Sequence, residues 1–118
     1  MTAEPVRIRP VAPSRTPKPP AHLGPDGRRL WRNVLREYRM DEGHSLELLR
    51  LACEAIDRAE QARVVIAAEG MTIEGRFGAK THPAVQIERD SAIRASRLLR
   101  ELGLLDVPEA RPPSRWRS

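Results

Sequence analysis

Cysteine and aromatic residues are nearly missing from this chain of 118 residues, which has one cysteine, Cys53, and only Trp31, Tyr38, Phe77 and Trp116 as aromatics. A lone cysteine excludes an internal disulfide. Its neighbours Leu51, Ala52, Ala55 and Ile56 follow a helical pattern, so Cys53 reads as a buried apolar filler rather than a reactive thiol. The scarcity of aromatics removes most of the stacking platforms that single-strand binders use. No apolar run approaches the ~20 residues of a membrane span, and the first residues lack the apolar core of a signal peptide. An intracellular, soluble chain without a membrane partner is the expectation.

Catalytic constellations are also lacking. His22, His44 and His82 sit at turns or helix entries in unrelated contexts, so no nucleophile, base and orienting group can be assembled. With one cysteine and no His-x-x-x-His, no metal or other cofactor is expected. Glu88 and Asp90 are two apart on a helical stretch and diverge. Gly75 and Gly78 lie outside any Gly-Lys-Ser/Thr phosphate loop. The chain is expected not to be an enzyme.

What is present is positive charge. Lys and Arg number 21 against 16 Asp and Glu, giving net +5 and a pI near 10.6, which favours an anionic partner such as nucleic acid. The length suits one domain. Residues 1–20 are proline-dense and carry Arg7, Arg9, Arg15 and Lys18 against Glu4, so they read as a disordered basic arm. Such an arm can neutralise phosphates or simply keep a protein soluble. Residues 106–118 repeat that character as a flexible Arg- and Pro-rich tail, with Trp116 between Arg115 and Arg117 as an anchor for a partner or for the chain's own core.

Between the arms, residues 21–105 form the expected helical core. Leu30, Trp31, Val34, Leu35 and Tyr38 recur at helical steps and predict a short helix over about 26–39, with Arg28, Arg29, Arg32, Arg36 and Arg39 on its other side. That basic set is either a phosphate-facing stripe or a solvated back. A long helix over 44–69 follows, with Asp41 or Ser45 as cap and Gly70 as stop. Its extra apolar positions Leu48, Leu51, Val64 and Ala67 exceed what one neighbouring helix covers and suggest contact with another subunit. "MTIEGRFGAKT" predicts a small β-hairpin at about 71–81 from which Arg76 and Lys80 project. Pro83 and Gly103 bracket a third helix over 83–102 that packs antiparallel to the second, its apolar side formed by Val85, Ala92, Ala95, Leu98, Leu99 and Leu102, with Thr81 or the His82 flank at its start. The fold class is therefore mainly α: a short first helix and two long antiparallel helices linked by a β-hairpin, with disordered basic termini.

The combination of "PPAHLGPDGRRLWRNVL" with "EGMTIEGRFGAKTHPAVQIERDSAIRASRLLRELGL" resembles the phage terminase small subunit family, over roughly residues 18–105. That resemblance implies a non-enzymatic protein that assembles into a ring of eight to ten copies and binds double-stranded viral DNA. It implies delivery of that DNA to the large terminase subunit, with modulation of its ATPase and nuclease, in the host cell cytoplasm and not in the mature virion. The tail after Leu105 is short, so no separate large-subunit region can be placed beyond Trp116 and its arginines. The DNA-binding candidates are Arg7, Arg9, Arg15, Lys18, Arg28, Arg29, Arg32, Arg76 and Lys80. The rival expectation is a small helical adaptor that is basic for solubility and holds a protein partner.

Overall fold

The computed structural model describes residues 16–104. Helix α1 spans Pro25–Glu37, α2 Gly43–Glu69 and α3 Pro83–Glu101, and strands β1, Thr72–Gly75, and β2, Gly78–Thr81, lie between α2 and α3. The mainly helical fold with one small hairpin is the one the periodicity predicts. Proline opens α1 and α3 at the first helical position, where its missing N–H costs no intrahelical bond. Among the described residues no helix is long and apolar enough to cross a membrane.

The α2–α3 pair is antiparallel. Glu69 meets His82 at 2.7 Å, Arg63 meets Glu88 at 3.1 Å, and Leu102 packs against the core cluster that contains Leu49. The seam is built from small side chains: Ala52, Ala55, Ala59 and Ala62 on α2 are buried, as are Ala84, Ser91 and Ala95 on α3. Short side chains let the two helices approach closely, so longer residues splay to the flanks of the seam. This shifts the apolar side expected for α3: Ala95 is buried as expected, Val85, Leu98, Leu99 and Leu102 are half-buried, and Ala92 is exposed.

Helix α1 covers the N-terminal half of α2. Trp31 and Val34 meet Leu49 and Cys53 in a cluster closed by Leu23, with Leu30, Leu35, Met40, Leu46, Leu102 and Leu104 packed around it. Cys53 is 0% exposed, the filler position its neighbours imply. The start of α1 has no cap of its own, because Gly24 stands at the N-cap. Asp57 of α2 supplies one: its carboxylate accepts Gly24 N–H at 2.7 Å and Gly27 N–H at 2.8 Å. These are the N-cap and N3 donors that a capping box would satisfy locally, and the negative charge suits the positive end of the helix dipole. Gly27 is obligatory there, since a Cβ would stand 2.4 Å from Asp57 Oδ2 and 2.9 Å from the Cys53 carbonyl.

The arm expected over residues 1–20 falls largely outside the described residues. Its last part, residues 16–20, has no helix or strand, yet it lies against the core: Trp31 Nε1 donates to the Pro17 carbonyl at 2.9 Å. Further along, Arg28 donates to the Ala21 carbonyl at 3.0 Å and His22 contacts Glu54 at 2.7 Å.

Two expected caps are corrected. Glu42, rather than Asp41 or Ser45, holds the N-cap of α2 and makes no side-chain cap. His82, rather than Thr81, caps α3: its Nδ1 accepts Ala84 N–H at 3.0 Å while Nε2 contacts Glu69 at 2.7 Å. Thr81 is drawn into β2, paired with Thr72, so it stands one residue too early to cap.

Candidate nucleic-acid interface

The positive groups fall into separate sets. On α1, a turn of ~100° per residue places Arg29, Arg32 and Arg36 within an arc of roughly 60°, opposite the buried Gly27, Trp31 and Val34. All three arginines are exposed. Arg29 pairs with Asp26 at 2.7 Å, and Arg32 and Arg36 have no ion pair among the described residues. Arg28 lies half-buried at the edge of this arc, and its Nη2 donates to the Ala21 carbonyl. Lys18 is exposed beside the tethered Pro17. Arg36 belongs to the stripe by geometry although the sequence favours the first three arginines. Its position seven residues after Arg29 is the signal that places it on the same face.

The hairpin makes a second set. Strands β1 and β2 pair antiparallel with Ile73 opposite Lys80 and Gly75 opposite Gly78, leaving Arg76 and Phe77 as the two-residue tip. Gly78 has φ +116°, a conformation that L side chains rarely adopt, and it closes this turn. The Arg76 guanidinium lies 5.8 Å from the centroid of the Phe77 ring. Phe77 itself is 96% exposed. Arg76 and Lys80 have no ion pair among the described residues. From Asp57, where α1 begins, α2 rises ~18 Å before it ends at Glu69, so the hairpin and the α1 stripe are not one patch.

A third set, on α3, lies outside the DNA-binding candidates. Arg89, Arg97 and Arg100 fall with Ile93 on the face of α3 turned away from the seam, within an arc of roughly 80° at ~100° per residue. None has an ion pair among the described residues: the nearby Glu88 is engaged with Arg63 and Asp90 lies 3.4 Å from Gln86. Their interleaving with apolar residues along α3 masks the shared face until the seam direction is known. The remaining candidates, Arg7, Arg9, Arg15, Arg115, Trp116 and Arg117, lie outside the described residues.

Several carboxylates are engaged in fixing the frame. Arg50 bridges Glu47 and Glu54, its pair with Glu54 measuring 2.6 Å. Burial pushes the Glu54 carboxyl up, but hydrogen bonds from His22 and Arg50 and the Arg50 charge outweigh it and hold it below the ordinary carboxylate value. Burial, with the nearby charges of Asp57 and Glu54, pushes the Cys53 thiol up to about 12. Arg63 joins Glu60 on its own helix to Glu88 on α3. The three histidines each meet a different glutamate, at Glu54, Glu42 and Glu69, in three separate places. Among the described residues no three His, Cys, Asp or Glu side chains stand together to hold a metal ion.

The four interface positions expected on α2 divide. Leu48 and Leu51 are half-buried, whereas Val64 is 57% exposed and Ala67 is exposed. At ~100° per residue Leu51 and Val64 lie roughly 140° apart, on different flanks of the helix.

In comparison with known proteins, a family model described as phage terminase, small subunit, matches residues 27–112. No curated protein and no solved structure matches the chain.

Proposed function

The chain belongs to the phage terminase small subunit family and so takes part in phage DNA packaging, and from that premise we propose that it is the DNA-binding, non-catalytic subunit, assembled as a ring. The observation that carries the DNA-binding part is the outward stripe of Arg29, Arg32 and Arg36, of which only Arg29 has an ion-pair partner among the described residues. Three guanidinium groups on one face of a helix fit successive phosphates, and Arg pairs bidentately with phosphate oxygens. Lys18, Arg28 and the arm residues Arg7, Arg9 and Arg15 extend the phosphate contacts in this reading.

Assembly is supported by the two flanks of α2. A ring needs two different surfaces on each subunit, because its contacts are heterologous. Leu51 faces one way and Val64 and Ala67 another, which matches that requirement, with Leu48 turned toward the α3 seam. Repetition of a modest positive charge over eight to ten copies then gives strong retention of a duplex from individually weak contacts. Delivery to the large terminase subunit, and modulation of its ATPase and nuclease, complete the proposal, with Trp116, Arg115 and Arg117 as the contact and the host cytoplasm as the place of action.

Fluorescence anisotropy with duplex DNA across a salt series tests the DNA contact. If about five phosphates are neutralised per binding unit, log affinity falls against log salt with a slope near −4.5. Replacing Arg29, Arg32 and Arg36 with Ala is expected to flatten that slope by about 2.7, at ~0.9 per phosphate contact. A salt-insensitive complex, or no complex, would overturn the DNA-binding part. Light scattering tests the ring: a monomer at micromolar concentration would count against it and for a small adaptor. Stimulation of the large subunit's ATPase, retained or lost when residues 106–118 are deleted, tests the role of the tail.

A further inference from the structure

We infer that Phe77 at the hairpin tip is a DNA-contacting wedge, an aromatic that inserts against or between base pairs while Arg76 and Lys80 hold the flanking phosphates. The inference rests on the DNA-binding reading above and assigns it a residue outside the set of cations. An exposed apolar side chain alone means little. Here four further features bear on it.

First, Phe77 occupies the very tip of the hairpin, in a two-residue turn where Asn-Gly or Asp-Gly would be the usual choice. An aromatic there gains nothing from the fold, since it is 96% exposed. Second, the tip is slim. Gly75 and Gly78 face each other directly below it, so the shoulders carry only the Lys80 stem that lies over Gly75. Two strands ~4.8 Å apart make a ribbon that a major groove about 12 Å wide admits. Third, the charges agree. The Arg76 guanidinium lies over the Phe77 ring, so both reach the same surface, and Lys80 lies in the following strand. The only carboxylate in the strands, Glu74, pairs with Ala79 and so projects from the face opposite Ile73 and Lys80. Fourth, the aromatic is solitary. A protein-binding hot spot is an aromatic set within a ring of packed contacts, whereas Phe77 stands between a cation and a glycine. An exposed apolar wedge beside a cation is the kind of side chain that architectural proteins use to unstack a base step.

The test uses the full-length chain and a mixed-sequence duplex carrying 2-aminopurine at flexible TA steps, whose fluorescence rises when the base unstacks. The wild type is expected to bind and to brighten the probe. Phe77→Ala is expected to weaken binding by on the order of tenfold and to abolish the brightening, with the slope against salt unchanged, because a stacking contact releases no counterions. Phe77→Trp is expected to restore both signals, and Arg76→Ala with Lys80→Ala to flatten the slope by about 1.8. Since the ring touches no core residue, thermal melting of Phe77→Ala is expected to match the wild type. A Phe77→Ala variant that binds and brightens like the wild type overturns the inference and leaves the DNA-binding reading intact. If that variant keeps its DNA binding but loses stimulation of the large subunit's ATPase, the tip is a protein contact and the inference is equally overturned. A wild type that binds no duplex removes both together.

Discussion

The two halves of α2 belong to one continuous helix and have different surroundings. From Leu46 to Asp57 it is covered by α1 on one side and α3 on another, and Leu49 and Cys53 are sealed completely. From Glu60 to Glu69 it keeps only α3, through Ala62, and Val64 is left in solvent. Both halves are comparably apolar in sequence. Burial is decided by whether an element lies over a position, and α1 ends its cover at Asp57, where the chain turns away through Gly24. The covered half is where this molecule holds itself together, and the bare half, with the hairpin beyond it, is the part left free to meet something else.

The severest way to break that contrast is to remove its keystone. Trp31→Ala empties a buried ring position and cuts the bond to Pro17, so a loss of about 3–5 kcal/mol is expected in urea titration. Asp57→Ala comes next. It leaves two helix-start N–H groups without their acceptor, and a loss of about 2 kcal/mol is expected. Cys53 reports it: its thiol, pushed up to about 12 and buried, is expected to resist disulfide reagents at neutral pH in the wild type. In Asp57→Ala, labelling is expected to quicken by roughly 30-fold, the factor that 2 kcal/mol represents. If labelling is unchanged, α1 is held by its apolar face alone.

A milder probe is pH. The Glu54 carboxyl is held below its unfolded value, so its contribution is present above the ordinary carboxylate range and is lost as pH falls through the lower folded value. Melting is therefore expected to weaken below about pH 4. Glu54→Gln is expected to reduce this acid sensitivity. At the far end of the scale, Val64→Ser on the bare half is expected to change monomer stability by less than about 0.5 kcal/mol. Its expected effect is on assembly, read as a lower mass by light scattering at the same concentration. A large loss of monomer stability from Val64→Ser would erase the distinction between the halves.

Much of this frame could be read from residue order. Pro25 and Pro83 mark helix starts, Gly103 with φ +80° marks an end, and the period-two runs around Gly75 and Gly78 give the hairpin. These are local signals, carried by residues a few positions apart. The parts that escaped reading are non-local. Asp57 looks like one more surface charge on a long helix until α1 is folded back onto it, and its partners are 33 and 30 residues away. The seam of alanines gives a weak pattern because Ala is apolar enough for a core and common enough for a surface, so periodicity points to Val85 and Ala92 where the fold buries Ala84 and Ser91. Pro83 marks His82 as a helix flank, but its double engagement with Ala84 N–H and Glu69 depends on where α2 ends. Among the candidates, Arg36 and Phe77 gain their place from direction and exposure, which composition does not carry.

The clasp between Asp57 and the start of α1 also has a meaning for chain topology. It pins two points of the backbone together and turns the stretch from Gly24 to Asp57 into a closed loop. The entropy of closing a flexible loop rises only with the logarithm of its length, so ten extra residues would add about 0.2 kcal/mol. The connection Tyr38–Glu42, exposed apart from Met40 and outside every helix, is thus the place where this protein accepts an inserted tag or fluorophore at little thermodynamic cost.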